Sequence, residues 1–275
     1  MEEHMTSERI YFDDWDKTAC LDTYIPDCGG DMRPALIAVP GGSYAEVCAD
    51  REGEPVALEF LGRGMCAFVL YYHTGNRENE PASAPLLDLS RAVVHVRRNA
   101  KKYGVDPHKI YLAGFSAGGH LAGSLATMHN DPALLSELGI RKGENRPDGV
   151  ILSYPVVSAM CPTHELSFEC LLGKHFSDIT EEEKEKWSLE LHVDGDTPPM
   201  FLWHTAEDAA VPPDGTLRLC LACRHAGITC ETNIYPHGAH GIALADSRTS
   251  LGDKRWMIPH VTSWVDRAEE FLRSL

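Results

Sequence analysis

The chain has 275 residues, of which 43% are hydrophobic and 24% charged, and its formal net charge is −16. α/β folds of this length often form one unit, so residues 1–275 are predicted to be a single domain. The acidic balance argues against nucleic acid as a partner and disfavours anionic membranes, because phosphate groups bind to basic surfaces. The N-terminus lacks an apolar signal region and no apolar run could span a bilayer, which predicts a cytoplasmic protein with no membrane partner.

Short apolar runs alternate with helical patterns along the chain. Six runs predict buried strands: PALIAVP (34–40), CAFVLYY (66–72), KIYLAG (109–114), DGVILSYP (148–155), PMFLWHT (199–205) and TCETNIYP (229–236). Helical periodicity predicts helices over 85–104, 116–129, 214–227 and 259–274. This alternation predicts a mostly parallel sheet with helices on both faces, whose functional residues follow the carboxyl ends of the strands.

Residues 156–197 interrupt the alternation between the fourth and fifth predicted strands. They are irregular and contain the charge run DITEEEKEKW, which is more typical of a solvated helix face than of a site. Because the segment leaves the sheet where the strands end, we expect it to be an insertion that forms a lid or a pocket wall.

Nine cysteines are scattered along the chain: Cys20, Cys28, Cys48, Cys66, Cys161, Cys170, Cys220, Cys223 and Cys230. Without a secretory signal, reduced thiols are expected. Cys220 and Cys223 form a single CxxC within a helical pattern, where Cys220 shares a face with Leu217 and Leu221. Buried small hydrophobic residues are favoured over metal ligands there, and no metal site is predicted.

The stretch AGFSAGGH (113–120) places Ser116 between a predicted strand and a predicted helix, with Gly114 and Gly118 on either side. A serine on such a turn has a strained backbone and needs small neighbours, and its Oγ is then exposed above the sheet. The helix N-terminus provides backbone N–H groups for a developing oxyanion. Ser116 is therefore a candidate nucleophile, and a serine that only caps the helix in a tight turn is the alternative.

A nucleophilic serine needs a base and an acid that orients the base, in the chain order Ser, Asp, His for this type of sheet. Asp208 follows the fifth predicted strand and His240 follows the sixth, which gives that order. Other acids and histidines are alternatives or packing residues: Glu207, Asp214, His237, His204, His73 and His120. His237 follows its strand so closely that it is not expected to reach the serine, and His204 is expected to be a buried, hydrogen-bonded imidazole.

The oxyanion hole is expected from two backbone segments. One donor is the N–H of Ala117, which follows the nucleophile, and the other comes from the loop PGGSY (40–44) after the first predicted strand. Gly41 and Gly42 allow a ligand to approach the backbone closely, although an ordinary Gly-Gly turn is the alternative. Three residues are expected to line the pocket: Ser43, Tyr44 and Tyr72.

From about Pro34 to the C-terminus the sequence resembles the α/β-hydrolase superfamily. It is most similar to the small esterase/lipase branch that includes acetylesterases and acetyl xylan esterases. The motifs that carry the resemblance are VPGGSY, REGEPVALEFLGRG, APLLDLSRAV, YGVDPHKIYLAGFSAGGHLAG, TPPMFLWHTAEDAAVPP and YPHGAHGIAL. It implies the α/β-hydrolase fold, with Ser116 as nucleophile, Asp208 as acid and His240 as base. The chain has Pro40 and Ser43 where related esterases often have the first and last residues of a His-Gly-Gly-Gly motif.

The predicted function is that of a serine carboxylic-ester hydrolase that needs no cofactor. The resemblance implies a short acyl group, such as acetyl, on a carbohydrate or another small ester, and an acetylated oligosaccharide is one candidate substrate. Alternatives on the same residues are an arylformamidase-like amide hydrolase, a feruloyl esterase or a peptidase. A hydrolase fold that only binds ligands would lack one of the three residues. The sequence leaves the oligomeric state open, a homo-oligomer included.

Overall fold

The computed structural model describes residues 5–27, 29–75, 81–160 and 162–275. In these ranges eight strands form one sheet in the order β1-β2-β4-β3-β5-β6-β7-β8. The strands are β1 (Thr6–Tyr11), β2 (Cys20–Ile25), β3 (Arg33–Val39), β4 (Cys66–Tyr71), β5 (Val105–Phe115), β6 (Gly149–Ser153), β7 (Met200–Thr205) and β8 (Cys230–Tyr235). The neighbouring strands β4-β3-β5-β6-β7-β8 are parallel to one another. Strands β1 and β2 extend the sheet beyond β4 with antiparallel pairing.

The predicted mostly parallel sheet is confirmed, and each of the six predicted strands is present. Successive residues of the central strands point to opposite faces, as the pleat requires. Leu112, Leu152 and Leu202 pack in one core. Ala113 and Ile151 pack in a second core on the opposite face. Both faces of the sheet are therefore buried, which explains the continuous apolar runs of these strands.

Helices cover both faces of the sheet within the described ranges. They are α1 (Glu54–Gly62), α2 (Ala84–Arg98), α3 (Ala100–Tyr103), α4 (Ala117–Met128), α5 (Pro132–Leu138), α6 (Glu165–Leu172), α7 (Glu181–Lys186), α8 (Asp214–Ala226) and α9 (Trp264–Arg273). A π-helical turn spans Ala49–Gly53, and short 3-10 turns span Phe176–Asp178, Leu189–Leu191 and Lys254–Trp256. Helices α2, α4 and α8 contribute to the first core, and α1 and α9 contribute to the second.

Two predicted helices differ from the structure. The helix predicted over 85–104 is interrupted at Asn99, whose amide Nδ2 donates to the carbonyl of His95. The helix predicted over 259–274 begins only at Trp264, after a series of turns. In both cases the apolar periodicity continues through residues whose backbone is not helical.

The predicted face of α8 is wrong. Leu217 and Leu221 are exposed, whereas Leu219 and Cys223 are buried in the core. Cys28 and Cys161 lie outside the described residues, and no disulfide links the other seven cysteines to one another. No helix in the described part of the chain is long and apolar enough to cross a membrane.

Residues 156–197 form α6, α7 and two of the 3-10 turns. The charge run forms α7, which begins with a capping box between Thr180 and Glu183. Trp187 and Phe168 anchor the segment, since both are buried beside His120 of α4. This segment therefore packs on α4, the helix that follows Ser116, and its role as a lid or pocket wall stays a prediction.

Candidate active site

Ser116 lies on the turn between β5 and α4, at the carboxyl end of the sheet. Its φ of 53° is in the left-handed region, which is strained for a residue with a side chain. A Cβ on Gly114 would lie 2.5 Å from the carbonyl oxygen of Gly118, and a Cβ on Gly118 would lie 2.1 Å from that of Val39. Both glycines are thus sterically required, because helix α4 approaches its own strand and β3 closely at this turn.

Ser116, His240 and Asp208 form one chain of hydrogen bonds. The Oγ of Ser116 lies 2.8 Å from Nε2 of His240, and Nδ1 of His240 lies 2.7 Å from Oδ2 of Asp208. The carboxylate can only accept, so Nδ1–H donates to it and Nε2 is left to accept from the serine hydroxyl. This is the arrangement in which an imidazole can remove a proton from a nucleophile.

Asp208 is held in place by four donors. Its Oδ1 accepts from the backbone N–H groups of Ala210 and Val211 at 3.0 and 2.9 Å. Its Oδ2 lies 3.2 Å from Nε2 of His204 and accepts from His240. Burial alone would raise the pKa of Asp208, but the hydrogen bonds from His204 and His240 outweigh it and hold that pKa well below its usual range. The acid is therefore ionised and oriented at neutral pH.

The rival histidines occupy other environments. His204 is fully buried, with Nε2 2.9 Å from the carbonyl of Val211 and Nδ1 2.8 Å from Oγ1 of Thr216. Its prediction as a satisfied buried imidazole is confirmed. His237 is exposed and pairs with Glu207 at 2.8 Å. Neither histidine hydrogen-bonds to Ser116.

The loop after β3 carries backbone amides that have no protein acceptor among the described residues, but the amide of Gly41 is not one of them. The N–H of Gly41 donates to Oε2 of the buried Glu52 at 2.8 Å, so the prediction of Gly41 as an oxyanion donor is wrong. Among the described residues, no protein group accepts from the backbone N–H of Gly42 or Ala117, and the same holds for Ser43. These amides are available to a ligand.

Tyr44 and Tyr72 do not line the pocket as predicted, because each is only 1% exposed. The Tyr44 hydroxyl bonds to Nδ1 of His120 at 2.7 Å, and the Tyr72 hydroxyl donates to the carbonyl of Pro40 at 2.8 Å. Tyr72 thus holds the start of the loop 40–44, and Tyr44 connects the end of that loop to α4. Ser43 is half-buried in that loop, and its contact with substrate stays a prediction.

Two further residues near His240 were not predicted. The ring of Tyr154 contacts the His240 ring edge-on, with 5.0 Å between centroids. His164 lies at the start of α6, and its Nδ1 bonds to Oγ of Ser167 at 2.9 Å. Burial lowers the pKa of His164, and the nearby His240 lowers it further. The sequence carries only a weak signal for both, since neither belongs to the Ser-Asp-His pattern.

Comparisons with known proteins agree with this fold. A model of the BD-FAE family matches residues 21–221. The chain is 42% identical over 221 residues to endo-1,4-beta-xylanase B of Butyrivibrio fibrisolvens, covering 80% of this chain and 34% of that protein. It is 29% identical over 215 residues to the acetylxylan esterase of Xylanibacter ruminicola, covering 76% of this chain and 41% of that protein. The chain therefore spans well under half the length of these two curated relatives.

A solved structure matches over nearly the whole chain. It is an acetyl ester-xyloside bifunctional hydrolase from Caldicellulosiruptor lactoaceticus, with a TM-score of 0.80 and 32% identity, covering 98% of this chain and 96% of that chain. The sheet order, the strand-turn-helix at Ser116 and these matches define the class as the α/β-hydrolase esterases. Within that class, the chain belongs to the BD-FAE family.

Proposed function

We propose that this chain hydrolyses carboxylic esters with Ser116 as nucleophile, His240 as general base and Asp208 as the orienting acid. The observation that carries the proposal is the hydrogen-bond chain from Asp208 through His240 to Ser116, on a strained strand-to-helix turn. A helix-capping serine would not need an imidazole at 2.8 Å or a left-handed backbone, so this geometry favours the nucleophile.

The reaction follows from the positions of the proton acceptors and donors. Nε2 of His240 takes the Ser116 proton while Oγ attacks the ester carbonyl. The negative charge that develops on the carbonyl oxygen is stabilised by the backbone N–H groups of Ala117 and Gly42, with the Ser43 amide next in the same loop. His240 then protonates the leaving alcohol, and water attacks the acyl-enzyme by the same steps in reverse. Asp208 stabilises the imidazolium that forms in each half of the reaction.

The proposed substrates are short acyl esters, acetyl above all, on carbohydrates or other small alcohols. Support comes from the relatives, of which one is named an acetylxylan esterase and another an acetyl ester-xyloside hydrolase.

The test is hydrolysis of p-nitrophenyl acetate, butyrate and octanoate and of acetylated xylo-oligosaccharides by the wild type and by Ser116→Ala. We expect cleavage that is fastest for acetyl esters and that falls at least about 10³-fold in Ser116→Ala, because the nucleophile is lost. Ser124→Ala is the matched control, since Ser124 is a buried serine of α4, the helix that follows Ser116, and its Oγ has no partner among the described residues. It should retain activity.

Covalent labelling separates the role of the serine from the choice of substrate. A fluorophosphonate should label the wild type and Ser124→Ala but not Ser116→Ala. Ester hydrolysis that survives in Ser116→Ala would overturn the proposed mechanism. Labelling of Ser116 without hydrolysis of any ester would retain the nucleophile and direct the search to amides.

A further inference from the structure

Glu52 is a buried carboxylate that contacts the loop 40–44, which carries the proposed oxyanion donors and is called the oxyanion loop below. It lies in the motif REGEP, in the π-helical turn Ala49–Gly53, and is only 1% exposed. Burying a charge is costly unless it is paired and hydrogen-bonded. The proposed reaction as described above does not use this residue, so its position needs an explanation.

Each oxygen of Glu52 accepts a hydrogen bond from a different part of the site. Oε2 accepts from the backbone N–H of Gly41 at 2.8 Å. Oε1 lies 2.9 Å from the hydroxyl of Tyr154. That hydroxyl also accepts from the backbone N–H of Ala243 at 3.0 Å, so its own proton is free to point at Glu52. Burial, with the nearby Glu52 carboxylate, raises the pKa of Tyr154 well above its ordinary value and keeps this proton in place.

On one side, Glu52 fixes the loop that carries the free amides. A Cβ added to Gly41 would lie 2.8 Å from Oε2 of Glu52 and 2.8 Å from Cβ of Ser116. Gly41 is thus enclosed between the carboxylate and the nucleophile, with no room for a side chain. The direction of the Gly41 N–H sets the path of the backbone into Gly42, whose own N–H is a proposed oxyanion donor.

On the other side, Glu52 fixes the loop that carries His240. Tyr154 connects the carboxylate to Ala243, three residues after His240. The Tyr154 ring also packs edge-on against the His240 ring. Through one phenol, the carboxylate therefore restrains both the backbone of this loop and the orientation of the imidazole.

Arg51 compensates the buried charge of Glu52. Nη2 of Arg51 lies 3.8 Å from Oε1 of Glu52, and the Arg51 guanidinium stacks on Trp256 at 4.8 Å. The same Nη2 would lie 3.4 Å from a Cβ on Gly241, the neighbour of His240. Arg51 thus belongs to the same assembly and contacts it from the side of the His240 loop.

We propose that Glu52 is a positioning residue for the proposed esterase reaction. It holds the oxyanion loop and the loop that carries His240 in the relative positions that the transition state requires. The inference rests on the proposed function, because it assigns Glu52 to the geometry of that reaction. Glu52 acts through Gly41 and Tyr154 and does not touch the substrate. Its carboxylate form matters, because both links require it to accept.

Glu52→Gln tests this role at almost constant size. The glutamine has one accepting oxygen and one donating amide, so it cannot accept from Gly41 and Tyr154 together. We expect kcat for p-nitrophenyl acetate, per active site titrated with a fluorophosphonate, to fall about 10- to 100-fold, with KM changed less than about twofold, since the interaction affected is made in the transition state. Binding of phenylboronic acid, whose adduct with Ser116 is tetrahedral, should weaken by a similar factor.

Normalising to titrated sites separates positioning from a loss of folded protein. Asp148→Asn is the matched control, because Asp148 accepts from Arg97 and from the backbone N–H of Ile110 at the opposite end of the strands. It should lower thermal stability and leave kcat per titrated site unchanged. Tyr154→Phe removes the second link while Glu52 stays in place, and it provides the test if Glu52→Gln does not fold. Its kcat should also fall, and the double variant should lose less than the two single losses multiplied, because both act through one connection.

The outcomes for the inference and for the proposed function are distinct. If the wild type hydrolyses esters, and Glu52→Gln and Tyr154→Phe keep wild-type kcat per titrated site and wild-type affinity for the boronic acid, the inference is overturned and the esterase stands. If the wild type cleaves no ester and does not react with the fluorophosphonate, the proposed function itself has failed.

Discussion

Gly41 shows how one residue can be required by its surroundings without being a ligand. A Cβ at this position would lie 2.7 Å from the carbonyl oxygen of Phe115 as well as close to Ser116 and Glu52. We expect Gly41→Ala to destabilise the protein by roughly 1–3 kcal/mol through overpacking. It should also lower kcat about 10-fold or more, because the adjoining amide of Gly42 is displaced. Urea unfolding and p-nitrophenyl acetate kinetics measure the two effects.

The same substitution elsewhere provides the control for Gly41→Ala. A Cβ on Gly62, in α1, would have no atom within 4 Å. Gly62→Ala should therefore leave activity unchanged and stabilise the protein by up to about 1 kcal/mol. Equal kinetics for Gly41→Ala and Gly62→Ala would contradict the steric argument for the loop.

At the level of single residues, the sequence predicted the three members of the hydrogen-bond chain better than their surroundings. Ser116, Asp208 and His240 each follow a strand, and a local pattern with a fixed chain order brings them together. The roles of Gly41 and Tyr44 depend on partners far along the chain. Gly41 donates to Glu52 and Tyr44 bonds to His120, and no local pattern indicates either bond.

Elements buried on both faces were predictable, and those at the edge of the fold were not. The parallel strands are continuous apolar runs because helices cover both sides of them. Strand β1 (TSERIY) is almost entirely exposed, and its partner β2 (CLDTYI) is only partly buried. Neither strand is therefore a continuous apolar run. The sequence of α8 has helical periodicity, but apolar residues lie on two different faces of this helix. The packing buries the stripe with Leu219 and Cys223 rather than the one with Leu217 and Leu221.

The attachment of α6 to the rest of the molecule depends on Phe168, whose ring contacts the edge of the His120 ring at 5.3 Å between centroids. Phe168→Ala should cost about 3–5 kcal/mol of unfolding free energy, because Phe168 is fully buried. Leu166→Ala, in the same helix but about half exposed, should change it by no more than about 0.5 kcal/mol. Urea denaturation of the two variants gives both values.

Trypsin digestion under native conditions tests whether this loss is local to residues 156–197. The segment offers cleavage sites at Lys174, Lys184 and Lys186. Cleavage there should be faster in Phe168→Ala than in Leu166→Ala, since opening of the segment precedes cutting. Equal digestion patterns would show that Phe168 does not anchor residues 156–197.

Across the whole molecule, buried neutral histidines couple stability to pH. His120 is fully buried, and burial lowers its pKa to about 4, although its hydrogen bond to the carbonyl of Trp187 opposes the shift. In the unfolded chain its pKa returns to about 6.5. Between these two values the unfolded state binds more protons than the native state, so stability rises with pH across this window. Burial also lowers the pKa of His95 and of His129, which contribute in the same direction.

His120 alone should remove about 2 kcal/mol of unfolding free energy as the pH falls from 7 to 5. The comparison is with His120→Gln, whose amide can accept from Tyr44 and donate to Trp187 but does not titrate. Urea unfolding at pH 7, 6 and 5 should give a fall that is smaller by about 2 kcal/mol in the variant. All three pH values lie above the ordinary pKa of aspartate and glutamate, so carboxylates add little to the difference. Parallel stability curves for the two proteins would mean that His120 is not the source of the pH dependence. The hydrogen bonds of His120 to Tyr44 and to the carbonyl of Trp187 would then tolerate a charged imidazole.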